Sequence, residues 1–316
     1  MRLVLLLLCA PVLAHAQAFP AKPIHMVVPY AAGGATDVLA RPIAQKLTEL
    51  VGQPVLVENR PGANATIGAD HVARSAPDGY TFLLGSIVHY MVPFFTKNVP
   101  FDPLRDFTPI AQAAVVPNMI AVNPSLPVNS VKDLVDYARK TGTKLHYGTT
   151  GSGSPHQLGG ILLAQMTGIA LEHVPYKGGN PAIQDVLSNS IPMVILTAAT
   201  IMPQVKNGKL RPLGLIESHR FAVVPGVPTI SESLPGYGVP DTWFGFLGPA
   251  ALPRPIVERL NAEVRKALQD ADVRQRIENI GMEPTGTISA EQMATNIRSE
   301  VETIRKIVTT AGIQPE

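Results

Sequence analysis

Val27-Val28-Pro29-Tyr30-Ala31-Ala32-Gly33-Gly34-Ala35-Thr36-Asp37 runs from an apolar strand through paired glycines into a helix. Gly33 and Gly34 let the backbone turn where a side chain would clash. The first amides of a helix have no internal acceptors, so several N–H groups converge on one spot. Such a spot attracts an anion through hydrogen bonds and the positive end of the helix dipole. A second junction of this kind is Leu145-His146-Tyr147-Gly148-Thr149-Thr150-Gly151-Ser152-Gly153-Ser154-Pro155-His156. Two anion-ready junctions in one chain imply a cleft with hydrogen-bond donors on each wall.

Outward from the first junction, short apolar runs alternate with helical patterns. Residues 24–29, 55–57 and 80–84 read as buried strands, and Leu39, Ile43, Leu47 and Leu50 recur at helical spacing between the first two. A helix is predicted over 64–75, leading through the turn sequence Pro77-Asp78-Gly79 into the third strand. Pro42, one turn or more into the first helix, is expected to kink it or delay its regular start. A second unit has strands over 119–122, 145–148, 171–174, 193–196 and 213–216. Ser130 and Asp133 begin one of its helices, 155–167 forms another, and Asn180-Pro181 opens a third. The tail reads as three successive helices, 255–268, 272–280 and 289–310, expected to return and cover the first unit. Strands alternating with helices predict an α/β fold of parallel sheets with helices on both faces.

The first residues carry a different signal. Arg2, the apolar stretch 3–8 with Val12-Leu13, and Ala14-His15-Ala16 form a secretory leader with cleavage expected after Ala16. That apolar run is too short to span a bilayer. Cys9 is the only cysteine, so the mature chain is expected to lack disulfides and thiol chemistry. About 300 residues suit two domains, and a hydrophobic share of 46% is ample for two cores. Without Arg2 there are 25 basic and 24 acidic side chains with no basic block, which argues against nucleic-acid binding.

Several motifs together resemble the N-terminal and internal signatures of the Bug family, the solute receptors of tripartite tricarboxylate transporters. They are Pro23-Ile24 with Val28-Pro29-Tyr30, Gly33-Gly34, Asp37 and Ala40-Arg41, then Val57-Glu58-Asn59-Arg60-Pro61-Gly62-Ala63 and Pro77-Asp78-Gly79-Tyr80-Thr81. Asp106-Phe107-Thr108-Pro109, Val174-Pro175-Tyr176-Lys177-Gly178-Gly179, Pro225-Gly226-Val227-Pro228-Thr229 and Leu234-Pro235-Gly236-Tyr237 before Trp243 follow in the family's order. The resemblance covers essentially the whole mature chain.

It implies a periplasmic binding protein of type II, with two α/β lobes joined by two crossovers and the ligand cleft between them. The expected division is 17–118 with 225–316 for the first lobe and 119–224 for the second. It further implies a monomer without cofactor that holds a small mono- or dicarboxylate and presents it to membrane permease subunits; some members serve as periplasmic sensors instead. In the family one carboxylate is held by the Gly-Gly loop and by the loop after the second lobe's first strand, through backbone amides, hydroxyls and bridging waters. This chain departs from the family at His89-Tyr90-Met91-Val92-Pro93, where relatives often read His-Ala-Ile-Asn-Pro. It also carries Met193 and Thr197 where many relatives have two aspartates, so the distal pocket is expected to be less acidic.

Candidate ligand-binding residues are Tyr30, Gly33, Gly34, Ala35, Thr36 and Asp37 at the first junction, and Thr149, Gly151, Gly153, Ser154 and His156 at the second. Ser86, His89 and Thr197 join them at the carboxyl ends of strands, where open sheets bind ligands. Each has a structural alternative. Thr36 is either a donor or a helix cap, and Tyr30 lines the cleft or caps the strand. Asp37 repels an anion and fits better as a brace for the loop. Ser154 and Thr149 are read as hydroxyl donors to the carboxylate or its bridging water. His156, in the first turn of a helix, is disfavoured as a cation and reads as a neutral donor or a structural residue. Trp243 is assigned to core packing first and ligand stacking second.

Gly151-Ser152-Gly153 lacks the third glycine of a dinucleotide fingerprint, where His156 stands. No serine has the hydrolase elbow's flanking glycines, and no spacing joins a nucleophile to a base and an orienting acid. No His/Glu cluster suggests a metal. A receptor rather than an enzyme is the expected class.

Overall fold

The computed structural model describes residues 19–63 and 65–315. The expected leader and its cleavage after Ala16 lie outside the described residues, as does Asn64, the expected start of the second helix. The chain opens with β1 (Ile24–Val28), α1 (Ala35–Val51), β2 (Val55–Asn59), α2 (Thr66–Ala73), β3 (Thr81–Ser86) and the one-turn α3 (Val88–Met91). β4 (Phe107–Val116) then passes across Pro117 into β5 (Asn118–Val122). The middle of the chain contains α4 (Val131–Thr141), β6 (Leu145–Thr149), α5 (Pro155–Thr167), β7 (Leu171–Pro175), α6 (Gly179–Leu187), β8 (Met193–Thr197), α7 (Ala198–Lys206) and β9 (Arg211–Leu215). It returns through β10 (Thr242–Pro249) to α8 (Arg254–Gln269), α9 (Ala271–Asn279), β11 (Glu283–Pro284) and α10 (Ala290–Thr310).

Two sheets result, in the orders β11-β4-β10-β3-β1-β2 and β7-β6-β8-β5-β9. The α/β, two-lobed class read from the sequence is the observed one, but the sheets are mixed rather than parallel. β1 runs parallel to β2 and β3, and β6 parallel to β7 and β8. β10 is antiparallel to β3 and β4, and β5 to β8 and β9. The crossings explain this. β5 and β10 enter their sheets from the other lobe, beside the ends where the parallel strands finish, so they run the opposite way.

Met26, Val27 and Val28 are fully buried, as expected of a strand covered on both faces. α1 buries Leu39, Ile43 and Leu47 on one face, each worth about 1.5–3 kcal/mol of apolar burial. It begins at Ala35 without delay and carries Pro42 inside one uninterrupted helix. The bond that proline cannot make belongs to the carbonyl of Val38, a residue exposed on the solvent side. In the tail, α8 packs on α1 and β4, α9 packs on α1, and α10 crosses β4 to reach α5 of the second lobe. Gln165 Nε2 donates to the Ile307 carbonyl at 2.7 Å across that contact. Between β9 and β10 the chain stays on the second sheet through Val239. Leu215 N–H donates to Pro228 O at 2.8 Å, the Tyr237 hydroxyl to Gly159 O at 2.9 Å, and Val239 N–H to Ile216 O at 3.1 Å.

Candidate functional site

The first wall is the turn between β1 and α1. Gly33 has φ 79°, the left-handed region that favours glycine. Its N–H donates to Asp37 Oδ2 at 2.9 Å, folding the turn back onto the helix. Asp37 is 2% exposed. Its oxygens also accept from Arg41 Nε at 2.8 Å, Arg41 Nη2 at 2.9 Å and Asn59 Nδ2 at 3.0 Å. Burial pushes the Asp37 carboxyl up, but the Arg41, Gly33 and Asn59 hydrogen bonds outweigh it and hold the group below its ordinary value. Asp37 is thus a brace whose oxygens are already engaged. The helix ladder starts with Val38 N–H to Gly34 O. Among the described residues, the amides of Ala35, Thr36 and Asp37 and the Thr36 hydroxyl have no acceptor. These are the donors the first wall offers.

The second wall is the loop from β6 into α5, with Gly151 at φ 129° and Gly153 at φ 74°. Its hydroxyls at Ser154 and Thr149, expected as ligand donors, are engaged by partners within the fold. Ser154 caps α5, accepting from Gln157 N–H at 3.2 Å and donating to Gly151 O at 2.7 Å. Thr149 is fully buried and lies against His173 Nε2 at 2.6 Å and Gly151 N at 3.1 Å. Gly153 N–H donates to Gln157 Oε1 at 2.7 Å. The amides of Thr150, Ser152 and Ser154 have no acceptor among the described residues.

A cavity of about 290 Å³ lies between the walls. Its lining joins Tyr30, Thr36 and Val88 to Thr150, Ser152, Gly153, Ser154, Pro155, His156, Thr197, Thr242 and Phe244. No Asp, Glu, Lys or Arg lines it. Any charge it accepts is met by backbone amides and hydroxyls rather than by a counter-ion. A larger groove of about 650 Å³ lies on the first lobe along Tyr90, Phe94, Leu104 and Arg305, but neither glycine junction reaches it.

Of the residues read from sequence, Tyr30, Thr36, Gly153, Ser154, His156 and Thr197 line the cavity. Gly33 and Gly34 shape the turn, with their own amides engaged by Asp37 Oδ2 and Ala31 O, Ala35 supplies a free amide, and Gly151 shapes the loop. Ser86 and His89 sit among the buried side chains, with Ser86 Oγ and His89 Nε2 lacking partners among the described residues. Burial holds the His89 imidazole down to about 4, against the opposing effect of the Ser86 backbone. Burial raises the Tyr30 phenol. Thr197 Oγ1 lies 2.8 Å from Thr200 Oγ1. Trp243 is 2% exposed, donates from Nε1 to Glu300 Oε2 at 2.8 Å and is absent from the cavity lining, so packing is its place. Thr150 and Ser152 lay within the quoted loop and were passed over. Thr242 and Phe244 had no local signal, because they come from the second crossing.

A buried polar chain links the cavity to both crossings. Asn118, fully buried at the first crossing, directs the two protons of Nδ2 at Glu217 Oε1 at 2.7 Å and Thr242 Oγ1 at 2.8 Å, with Val116 O sharing one of them at 3.2 Å. Its Oδ1 meets His156 Nε2 at 2.9 Å, and His156 Nδ1 meets Thr150 Oγ1 at 2.9 Å. Burial drives the His156 imidazole down to about 3, so the ring is neutral. Burial raises Glu217 to about 8 despite the Asn118 donors.

Comparison with known proteins adds to this geometry. The family model described as "Tripartite tricarboxylate transporter family receptor" matches residues 39–313. A UPF0065 protein from the tcbD-tcbE intergenic region of a Pseudomonas species is 36% identical over 294 residues, covering 92% of this chain and 87% of that protein. An R. palustris protein solved with adipate is 36% identical with a TM-score of 0.80, covering 94% of this chain and all of its own. MatC from Rhodopseudomonas palustris, solved with bound malate, is 31% identical with a TM-score of 0.75, covering 92% of this chain and all of its own.

Proposed function

The chain belongs to the tripartite tricarboxylate transporter receptor family, and on that premise we propose that it is an exported receptor for a small organic carboxylate. It encloses the ligand between its lobes and delivers it to the permease subunits of a tripartite tricarboxylate transporter. The observation that carries this reading is the set of free amides at Ala35, Thr36 and Asp37, at a turn from which Thr36 lines a cavity whose other wall is the glycine loop of the second lobe. A carboxylate at a helix N-terminus needs no cation. Each of its hydrogen bonds is charge-assisted, worth about 1.5–3 kcal/mol. The relatives with adipate and malate support the carboxylate class.

The proposed lobes are 19–117 with 241–315, and 118–240. The second boundary follows the hydrogen bonds that keep Tyr237 and Val239 on the second sheet. Closure is a hinge motion about the crossings at Pro117 and before Thr242. Thermal-shift screening of the mature protein against organic acids, sugars and cations tests the reading. Stabilisation by one or more carboxylates is expected; shifts from sugars or cations alone refute it.

A further inference from the structure

We propose that the cavity is built for a hydroxycarboxylate, whose hydroxyl, beside the carboxylate, donates a hydrogen bond to Thr150 Oγ1. This rests on the carboxylate reading and narrows it. The Val116 carbonyl can only accept, so the Asn118 side-chain atom 3.2 Å from it is the amide nitrogen. That orientation turns Asn118 Oδ1 toward His156 Nε2, 2.9 Å away. An amide oxygen also only accepts, so Nε2 carries the imidazole proton.

His156 is 5% exposed and neutral. With its proton on Nε2, its Nδ1 is a lone pair, and the atom beside it at 2.9 Å is the Thr150 hydroxyl. Thr150 has one hydroxyl proton, and Nδ1 takes it. Turning that proton into the cavity leaves a buried ring nitrogen unpaired, at a cost comparable with the bond gained. Toward the ligand Thr150 therefore offers lone pairs, and a matching ligand atom has to be a donor.

The nature of the donor follows from the rest of the lining. A protonated amine is disfavoured, since no acidic side chain lines the cavity and Asp37 is filled by Gly33, Arg41 and Asn59. A keto oxygen sets lone pairs against lone pairs. A hydroxyl donates without bringing charge. Thr242, on the opposite side, has the reverse polarity: it accepts from Asn118 Nδ2 and keeps its own proton for a ligand oxygen. Thr150 lines the same 290 Å³ cavity as Thr36 and Ser152, so a hydroxyl that meets it shares that space with the carboxylate.

Calorimetry on the mature protein with three matched sets of acids tests this: lactate, pyruvate and propionate; mandelate, phenylglyoxylate and phenylacetate; malate, oxaloacetate and succinate. In each set that binds, the hydroxy acid is expected to bind about tenfold or more tightly than its oxo and unsubstituted partners. Thr150→Val is expected to remove that difference, and Thr150→Ser to keep it. An oxo or unsubstituted acid that binds the wild-type protein as tightly as its hydroxy partner overturns the proposal, as does a folded Thr150→Val that still discriminates. If Thr150→Val fails to fold, the wild-type sets decide. Binding by none of the acids overturns the carboxylate reading itself, a result distinct from binding without discrimination.

Discussion

Asp37→Asn separates two roles that a carboxylate beside an anion site can have. As a brace, Asp37 accepts four hydrogen bonds: from Gly33 N–H and Arg41 Nε on Oδ2, and from Arg41 Nη2 and Asn59 Nδ2 on Oδ1. Asparagine has the same shape but one oxygen, so its NH₂ faces a pair of donors whichever way it turns. One bond to Gly33 or Asn59 is lost, worth about 1.5–3 kcal/mol for a buried charged acceptor. One bond to Arg41 is lost as well. That side chain is 56% exposed, so its share is only about 0–1 kcal/mol. The expected loss is about 1.5–4 kcal/mol, read as a lower urea midpoint with unchanged slope for ligand-free protein. Arg41→Ala, the control, is expected to cost under about 1 kcal/mol. Carboxylate affinity is expected to fall as well, because the Gly33 turn that aims the helix amides loses its anchor. The pH dependence carries a sign. The folded carboxyl lies below its ordinary value, so its contribution is present above about pH 4 and is lost as pH falls through the folded value. Asp37→Asn flattens that acid limb. Full stability together with tighter carboxylate binding refutes the brace, since only a like-charge neighbour behaves that way.

Thr36→Val and Ser154→Ala are expected to diverge. The Thr36 hydroxyl lines the cavity without a partner among the described residues, so its loss weakens carboxylate binding by about 1 kcal/mol or more and leaves stability unchanged. Ser154 caps α5, so its loss costs about 1 kcal/mol of stability; calorimetry and urea titration on both variants check the pair, and the opposite pattern contradicts the assignment. Glu217→Gln addresses the crossings: burial holds the carboxyl at about 8, above its ordinary 4.5. The Glu217 contribution to stability is therefore full below about pH 4.5 and falls as pH rises toward about 8. The glutamine variant is expected to lack that slope, and an unchanged slope in melts from pH 5 to pH 8 rules the residue out as its source.

Local patterns carried most of the fold. The run from Val27 to Asp37 announced a strand, a turn and a helix because each has its own residue requirement, and β1 and α1 appear there. Elements whose stability comes from distant partners were harder to read. β4 carries Pro109, Thr108 and Gln112 among its apolar residues, which hides the strand pattern; its long pairing with β10 makes it a strand. The mixed direction of the sheets was invisible for the same reason, since direction is decided by where a crossing strand enters. At the site, glycine junctions and hydroxyls were legible as residue types. Which hydroxyls remain available was not, because Ser154 and Thr149 are consumed by partners that only the folded loop brings close.

The cleft itself is set by contacts with no local signature. Its two donor clusters belong to different sheets, and the residues that hold those sheets together are far apart in the chain. Asn118 leaves the first crossing and meets Glu217 and Thr242 across sequence separations of 99 and 124. One amide thus pins both crossings, and its oxygen fixes the proton on His156. The same amide orients Thr242 in the first lobe and, through the imidazole, Thr150 in the second. Opposite hydrogen-bond polarities on the two sides of the cavity are therefore not independent: both are dictated by how one buried asparagine is held. The Asn118 hydrogen bonds at the crossings involve no ion pair among the described residues, so a bend there separates no charges. On the proposed function, that property suits lobes that open and close on an anion while the donors on each wall keep their aim.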